Sequence, residues 1–186
     1  MASVYCAAAS ALQPGALLVN TSRGKVTAER SLRNWLISGR GHAALDVWPE
    51  EPNIDPGLLN ATTVATPHVA GYSLDGKLRG TEMVYRQFCD WLGTEPMSSD
   101  LLSGLGLYSI PGKLCMRVED AILAACPVER DDEQLRKLIT INPEYQSVFF
   151  DELRQEYPER RDFTGWQLPE EAPEECATVL QALGFH

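Results

Sequence analysis

The residues in this chain best suited to chemistry are an arginine, two acids and a histidine. His68 is one of only three histidines in 186 residues and closes the run TTVATPH. Glu51 lies seventeen residues earlier, between an acid and a proline in EEP. Imidazole titrates nearest neutrality of the side chains, so a placed histidine is suited to moving a proton at pH 7. A carboxylate set against the ring fixes its tautomer and balances the charge it gains. Arg23, in VNTSRG, can hold a carboxylate or a ketone oxygen with charge-assisted hydrogen bonds. A base, its orienting acid and a carboxylate clamp meet the needs of one reaction: a proton leaves a 2-hydroxy acid while a hydride goes to a cofactor. Taken singly, each residue has a bland explanation, as a solvated arginine or a structural histidine.

Their common placement comes from the elements around them. ALLVN (16–20) is a continuous apolar run, as expected of a strand buried on both faces of a parallel sheet. A helix is predicted from Thr27 as N-cap to Gly39 at its end, with Leu32, Trp35 and Leu36 on one apolar face. AALDV (43–47) and TTVAT (62–66) are two further strands. Strand–helix–strand with short links is the pattern of a right-handed parallel α/β layer. Asn20 and Arg23 then follow the first strand, Asp46 and Glu51 the second, and His68 the third. Ligands of such sheets bind beyond the carboxyl ends of the strands, so all of these residues face one edge. A long helix is predicted from Ser73 to Leu92, ended by Gly93. Its stripe of Leu74, Leu78, Thr81, Tyr85, Phe88 and Leu92 reads as core or interface.

Charge divides the chain. Residues 1–102 carry 8 basic and 10 acidic side chains, whereas residues 103–186 carry 8 and 16. Between them GTEPMSSDLLSGLG has the Gly, Ser and Pro content of a linker. The expected organisation is therefore 1–93, a linker at 94–102, and a second unit at 103–186. That second unit reads as helices at 117–126, 131–141, 143–157 and 173–184, two of them opened by proline at the first helical position. DFTGWQL (162–168) reads as a strand. The net charge of −10 argues against a nucleic-acid or anionic-membrane binder. No apolar run has the length of a transmembrane helix. No Lys or Arg precedes Arg23, so the positive start of a secretory signal is missing and a cytoplasmic location is expected. Five cysteines without a CxxC pair suit reduced thiols and suit neither a metal site nor a disulfide framework.

VNTSRGKVT, ALDVWPEEP and ATPHVAGYS together resemble the D-isomer-specific 2-hydroxyacid dehydrogenases over roughly residues 15–73. GYSLDGKLRGTEMVY and the acidic tail, with RDDEQLRK and YPERRDF, are similar to the branch of that family serving pyridoxal phosphate biosynthesis. The resemblance implies the C-terminal part of a Rossmann-type parallel sheet followed by a smaller α+β dimerisation domain. It implies Arg23, Glu51 and His68 as catalytic residues, with Arg23 orienting substrate. Thr21, Ser22, Arg23, Asp46 and Gly71 would bind NAD, Asp46 at the nicotinamide carboxamide. Tyr72 would approach a phosphorylated 2-hydroxy acid. The tail would form a homodimer.

The chain departs from the family in lacking a GxGxxG after a strand and an acidic residue for the adenosine ribose. It is thus expected to be the C-terminal half of such an enzyme, with MASVYCAAASALQPG as the end of a βα unit, and to turn over little alone. NAD follows from the resemblance, because the position that separates NAD from NADP is missing. Two other readings stay open: a non-enzymatic dimerisation or NAD-sensing module, and a 2-hydroxyacid dehydrogenase of the phosphoglycerate or glyoxylate type.

Overall fold

A computed structural model describes residues 12–97, 102 and 104–186. Most of the opening stretch MASVYCAAASALQPG and the centre of the expected linker lie outside the described residues. In chain order the first elements are β1 (Ala16–Asn20), α1 (Glu29–Ile37), β2 (Gly41–Leu45), α2 (Pro56–Ala61), β3 (Val64–Ala65) and α3 (Leu74–Leu92). There follow β4 (Tyr108–Ser109), α4 (Val118–Ala125), α5 (Val128–Arg136), α6 (Pro143–Gln155), β5 (Trp166–Gln167) and α7 (Glu174–Ala182).

The chain forms two compact units. One takes the described residues up to Ala70 together with Val128–Tyr157; the other takes Gly71–Pro127 with Pro158–His186. This differs from the expected division into 1–93 and 103–186, and the difference has a physical cause. In the first unit α5 lies along the open edge of β3. Asp132 Oδ1 accepts the Ala65 amide at 2.7 Å, and Arg136 donates to the carbonyls of Leu59 and Thr62 at 3.2 and 2.9 Å. An unpaired strand edge and helix-end carbonyls are thereby satisfied by side chains. Leu135, Leu138 and Phe150 from the same stretch complete the core made by Leu32, Trp35, Leu45, Trp48, Leu58 and Leu59.

The sheet of the first unit is parallel, in the order β1-β2-β3, with Ala16 opposite Gly41, Asn20 opposite Leu45 and Ala44 opposite Val64. Three expectations are corrected here. β1 is not buried on both faces: Leu18 points to the core, but Leu17 and Val19 are 61% and 60% exposed. Among the described residues the strand is paired on one side only. Thr27 is not the N-cap of α1. It ends a turn of 3-10 helix at Gly24–Val26, with its hydroxyl on the Gly24 carbonyl, and Ala28 takes the cap position. The strand expected at 43–47 sits two residues earlier, which leaves Asp46 just beyond its end.

In the second unit Ser73 caps α3 by accepting the Gly76 amide at 3.0 Å, and Gly93 ends it in the left-handed conformation. Of the expected stripe, Leu74, Leu78 and Tyr85 are half-buried and Thr81, Phe88 and Leu92 are exposed. β4 and β5 pair in parallel, Tyr108 opposite Trp166. Ile110, Cys115, Ala121, Ala125, Leu180 and Phe185 form the core of this unit. Pro143 opens α6 at its first turn as expected, whereas Pro173 occupies the N-cap of α7.

Candidate active site

The three strand ends of the first unit carry the residues singled out by type. After β1 the buried Asn20 organises a tight turn. Its Oδ1 accepts the amide and hydroxyl of Ser22 at 3.1 and 2.9 Å, and its Nδ2 donates to the Arg23 carbonyl at 3.1 Å. This use of an asparagine side chain as a backbone mimic holds Thr21, Ser22 and Arg23 exposed at the rim. Arg23 Nη1 donates to the Ser22 carbonyl at 2.6 Å, so the guanidinium is turned toward its own backbone. Gly24 is buried against the next loop, where a Cβ would overlap the carbonyl group of Trp48.

After β2 the Asp46 amide continues the ladder to the Asn20 carbonyl at 3.0 Å. Asp46 is 4% exposed, and its carboxylate is turned onto the loop that bears the histidine. Oδ1 accepts the Thr66 hydroxyl at 2.7 Å and the Val69 amide at 2.8 Å, and Oδ2 accepts the Ala70 amide at 3.1 Å. These bonds grip the chain on both sides of His68. The grip is needed because His68 has φ 58°, a left-handed conformation that a side-chain-bearing residue holds only when its surroundings impose it.

His68 Nδ1 lies 2.7 Å from Glu51 Oε1, with both side chains about three-quarters buried. A carboxylate only accepts, so the ring proton sits on Nδ1 and Nε2 is left as the acceptor. Glu51 is fixed in turn, because its Oε2 accepts the Trp48 amide at 3.2 Å. The Trp48 indole N–H donates to the Thr66 carbonyl at 3.0 Å. A cavity of about 240 Å³ opens beside Ser22, lined also by Leu18, Val19, Asn20 and Val26.

Glu51 and His68 are thus brought into contact, Asp46 holds the loop that bears His68, and Arg23 stands on the loop after β1 with no hydrogen bond to either. Gly71 and Tyr72 fall in the second unit. Gly71 is exposed, and Lys77 Nζ stands 4.6 Å over the Tyr72 ring. Sequence reasoning missed Gly24 and Trp48. The signal for Gly24 was its position directly after Arg23, since a glycine there lets two loop backbones meet. The signal for Trp48 was a large aromatic beside Pro49, within three residues of the acid.

Comparison with known proteins adds the kinship. Residues 5–70 match the family described as D-isomer specific 2-hydroxyacid dehydrogenase, NAD binding domain, and residues 116–184 match a domain of unknown function, DUF3410. The chain is 40% identical over 182 residues to the erythronate-4-phosphate dehydrogenase of Pseudomonas putida, covering 93% of this chain and 48% of that protein. It is 39% identical over 189 residues to the Pseudomonas aeruginosa protein of that name, covering 94% and 48%. For the Proteus mirabilis protein of that name the figures are 38% over 182 residues, 94% and 47%. The chain spans about half the length of the curated relatives it matches.

Proposed function

As a relative of the D-isomer specific 2-hydroxyacid dehydrogenases, this chain is, we propose, part of an enzyme that oxidises 4-phospho-D-erythronate to 2-oxo-3-hydroxy-4-phosphobutanoate in pyridoxal 5′-phosphate biosynthesis. The observation that carries this reading is the 2.7 Å contact of His68 with Glu51 on a loop clamped by Asp46. His68 Nε2 takes the proton of the substrate's 2-hydroxyl as its C–O bond becomes a carbonyl. Glu51 holds the Nδ1 proton and balances the positive ring. Arg23, exposed and held by one backbone carbonyl, is free to exchange that carbonyl for the substrate's carboxylate. Tyr72 is assigned to substrate.

NAD is the cofactor of this reading, with Thr21, Ser22, Arg23, Asp46 and Gly71 as the residues that would hold it. The donor set fits. Thr21 and Ser22 are exposed at the rim of the sheet. The Asp46 carboxylate has three of its roughly four acceptor positions filled by protein donors, which leaves one for a carboxamide N–H. When bound, NAD supplies the acceptor for the hydride from C2.

Residues 103–186 are assigned to self-association as a homodimer. Leu107, Met116, Tyr145, Val148 and Val179 are large exposed apolar residues in that stretch. No helix among the described residues is long and apolar enough to cross a membrane, and the proposed location is the cytoplasm.

The test is an assay of NAD reduction with 4-phosphoerythronate, on this chain and on a protein of the relatives' full length. NADH formation by the longer protein, with little by this chain, is expected. A longer protein that binds NAD but leaves 4-phosphoerythronate untouched overturns the substrate. One that binds neither makes the site an inherited scaffold.

A further inference from the structure

We propose that Trp48 is a positioning residue for the proton-transfer pair, tying the Glu51 turn to the strand end that carries His68. Its consequence for turnover rests on the functional reading above; its geometry does not.

Trp48 touches all three strand-end loops. Its amide donates to Glu51 Oε2 at 3.2 Å, and its carbonyl accepts the Glu51 amide at 3.5 Å, closing the turn that aims the carboxylate. Its carbonyl is also the group against which Gly24 packs, directly beside Arg23. Its indole N–H reaches the Thr66 carbonyl at 3.0 Å. Thr66 is the last residue of the ladder, with its amide on the Leu45 carbonyl and its hydroxyl on Asp46. Pro67 follows, and then His68 in its left-handed conformation. The indole thus holds the one backbone position from which the histidine loop departs.

The backbone contacts would survive any residue but proline at 48; the indole contact would not. Trp48 is 1% exposed and belongs to the core with Leu45, Ile54, Leu58 and Ala65. A buried ring can be held by packing alone: the indole nitrogens of Trp35 and Trp166 are buried without a hydrogen-bond partner among the described residues. At position 48 the ring carries a directed bond as well. Losing it leaves the Thr66 carbonyl unsatisfied and frees the strand end to shift relative to Glu51. Hydrogen-bonded pairs are sensitive to such shifts, since they weaken steeply with misalignment.

The test uses this chain with its histidines labelled with 15N. The two ring-nitrogen shifts of His68, assigned by its loss in His68→Asn, report the tautomer. With the pH raised until the ring-nitrogen shifts no longer change, the wild type should show the Nδ1–H form. Trp48→Phe should lower the ratio of Nδ1–H to Nε2–H forms about tenfold, the change that loss of one aligned hydrogen bond produces. Glu51→Leu should abolish the preference, and adding Trp48→Phe to it should change nothing further. An unchanged ratio in a folded Trp48→Phe overturns the proposal. If that variant does not fold, benzothienylalanine at position 48, which keeps the ring's size without its N–H, decides by the same ratio. In the longer protein Trp48→Phe should lower kcat and leave the KM for NAD unchanged. Absence of all turnover there would count against the functional reading, while the tautomer ratio still judges Trp48.

Discussion

His68 and Glu51 stand 2.7 Å apart although they leave different strands of the sheet. That contact is the basis of the proton-handling role proposed for the pair. In a protein of the relatives' full length, His68→Asn should lower kcat by about two to four powers of ten, the usual contribution of a general acid or base. NAD affinity, read by fluorescence titration, should change little, because the role proposed for the ring concerns the substrate's proton. Turnover within a few-fold of the wild type would remove His68 from this role.

How far the sequence alone led to this pair is instructive. The parallel order of the strands and their carboxyl ends follow from apolar runs alternating with a helical pattern. That was enough to bring Arg23, Asp46, Glu51 and His68 to one edge. What it could not show is which partner each polar group finds. Asp46 reads as a cofactor ligand, yet most of its carboxylate is spent on Thr66, Val69 and Ala70. Asp132 and Arg136 in DDEQLR look like solvated helix charges, but they satisfy Ala65, Leu59 and Thr62. An amphipathic helix shows that it has an apolar face and is silent about which core receives it. The placement of residues 128–157 with the sheet was therefore invisible.

Gly24 makes a second testable joint. A methyl group there would overlap the Trp48 carbonyl, and backbone on both sides leaves little room for relief. Gly24→Ala should destabilise this chain by about 1–3 kcal/mol, the range for overpacking. Gly80, within α3 and with open space around it, is the matched control. Gly80→Ala should stabilise by up to about 1 kcal/mol, through helix propensity. Urea midpoints at equal slope compare the two; a neutral Gly24→Ala would show that the loops do not depend on this contact.

The second unit contains a buried ion pair whose loss acid should reveal. Asp75 and Arg161 are 1% and 5% exposed, with Nε on Oδ2 at 2.9 Å and Nη2 on Oδ1 at 3.0 Å. Burial alone would raise the Asp75 carboxyl, but the Arg161 guanidinium and the Asp162 amide outweigh it and hold the group below its ordinary value. A carboxyl lowered on folding contributes stability above its unfolded value of about 4. That contribution disappears as pH falls through the lower, folded value. Asp75→Asn should therefore flatten the acid limb of stability against pH. At neutral pH it should cost about 3–5 kcal/mol, as when one partner of a buried pair is removed. Parallel acid limbs for the two proteins would show that Asp75 does not report on folding.

Self-association of residues 103–186 is testable on this chain as it stands. Leu107, Met116, Tyr145, Val148, Val179 and Leu183 leave large apolar side chains in water, in the half of the sequence that carries most of the negative charge. An interface between copies would take such side chains out of water. The acidic balance also sets the direction of a salt effect. Like-charged copies repel at low ionic strength, and screening lengths fall from about 30 Å at 0.01 M to about 8 Å at 0.15 M salt. Sedimentation at micromolar concentration should therefore show a dimer that tightens as salt rises over this range. Substituting aspartate for Val179, on the exposed side of α7, should weaken it if this helix contributes. A monomer at every salt concentration would remove the dimerisation role from these residues.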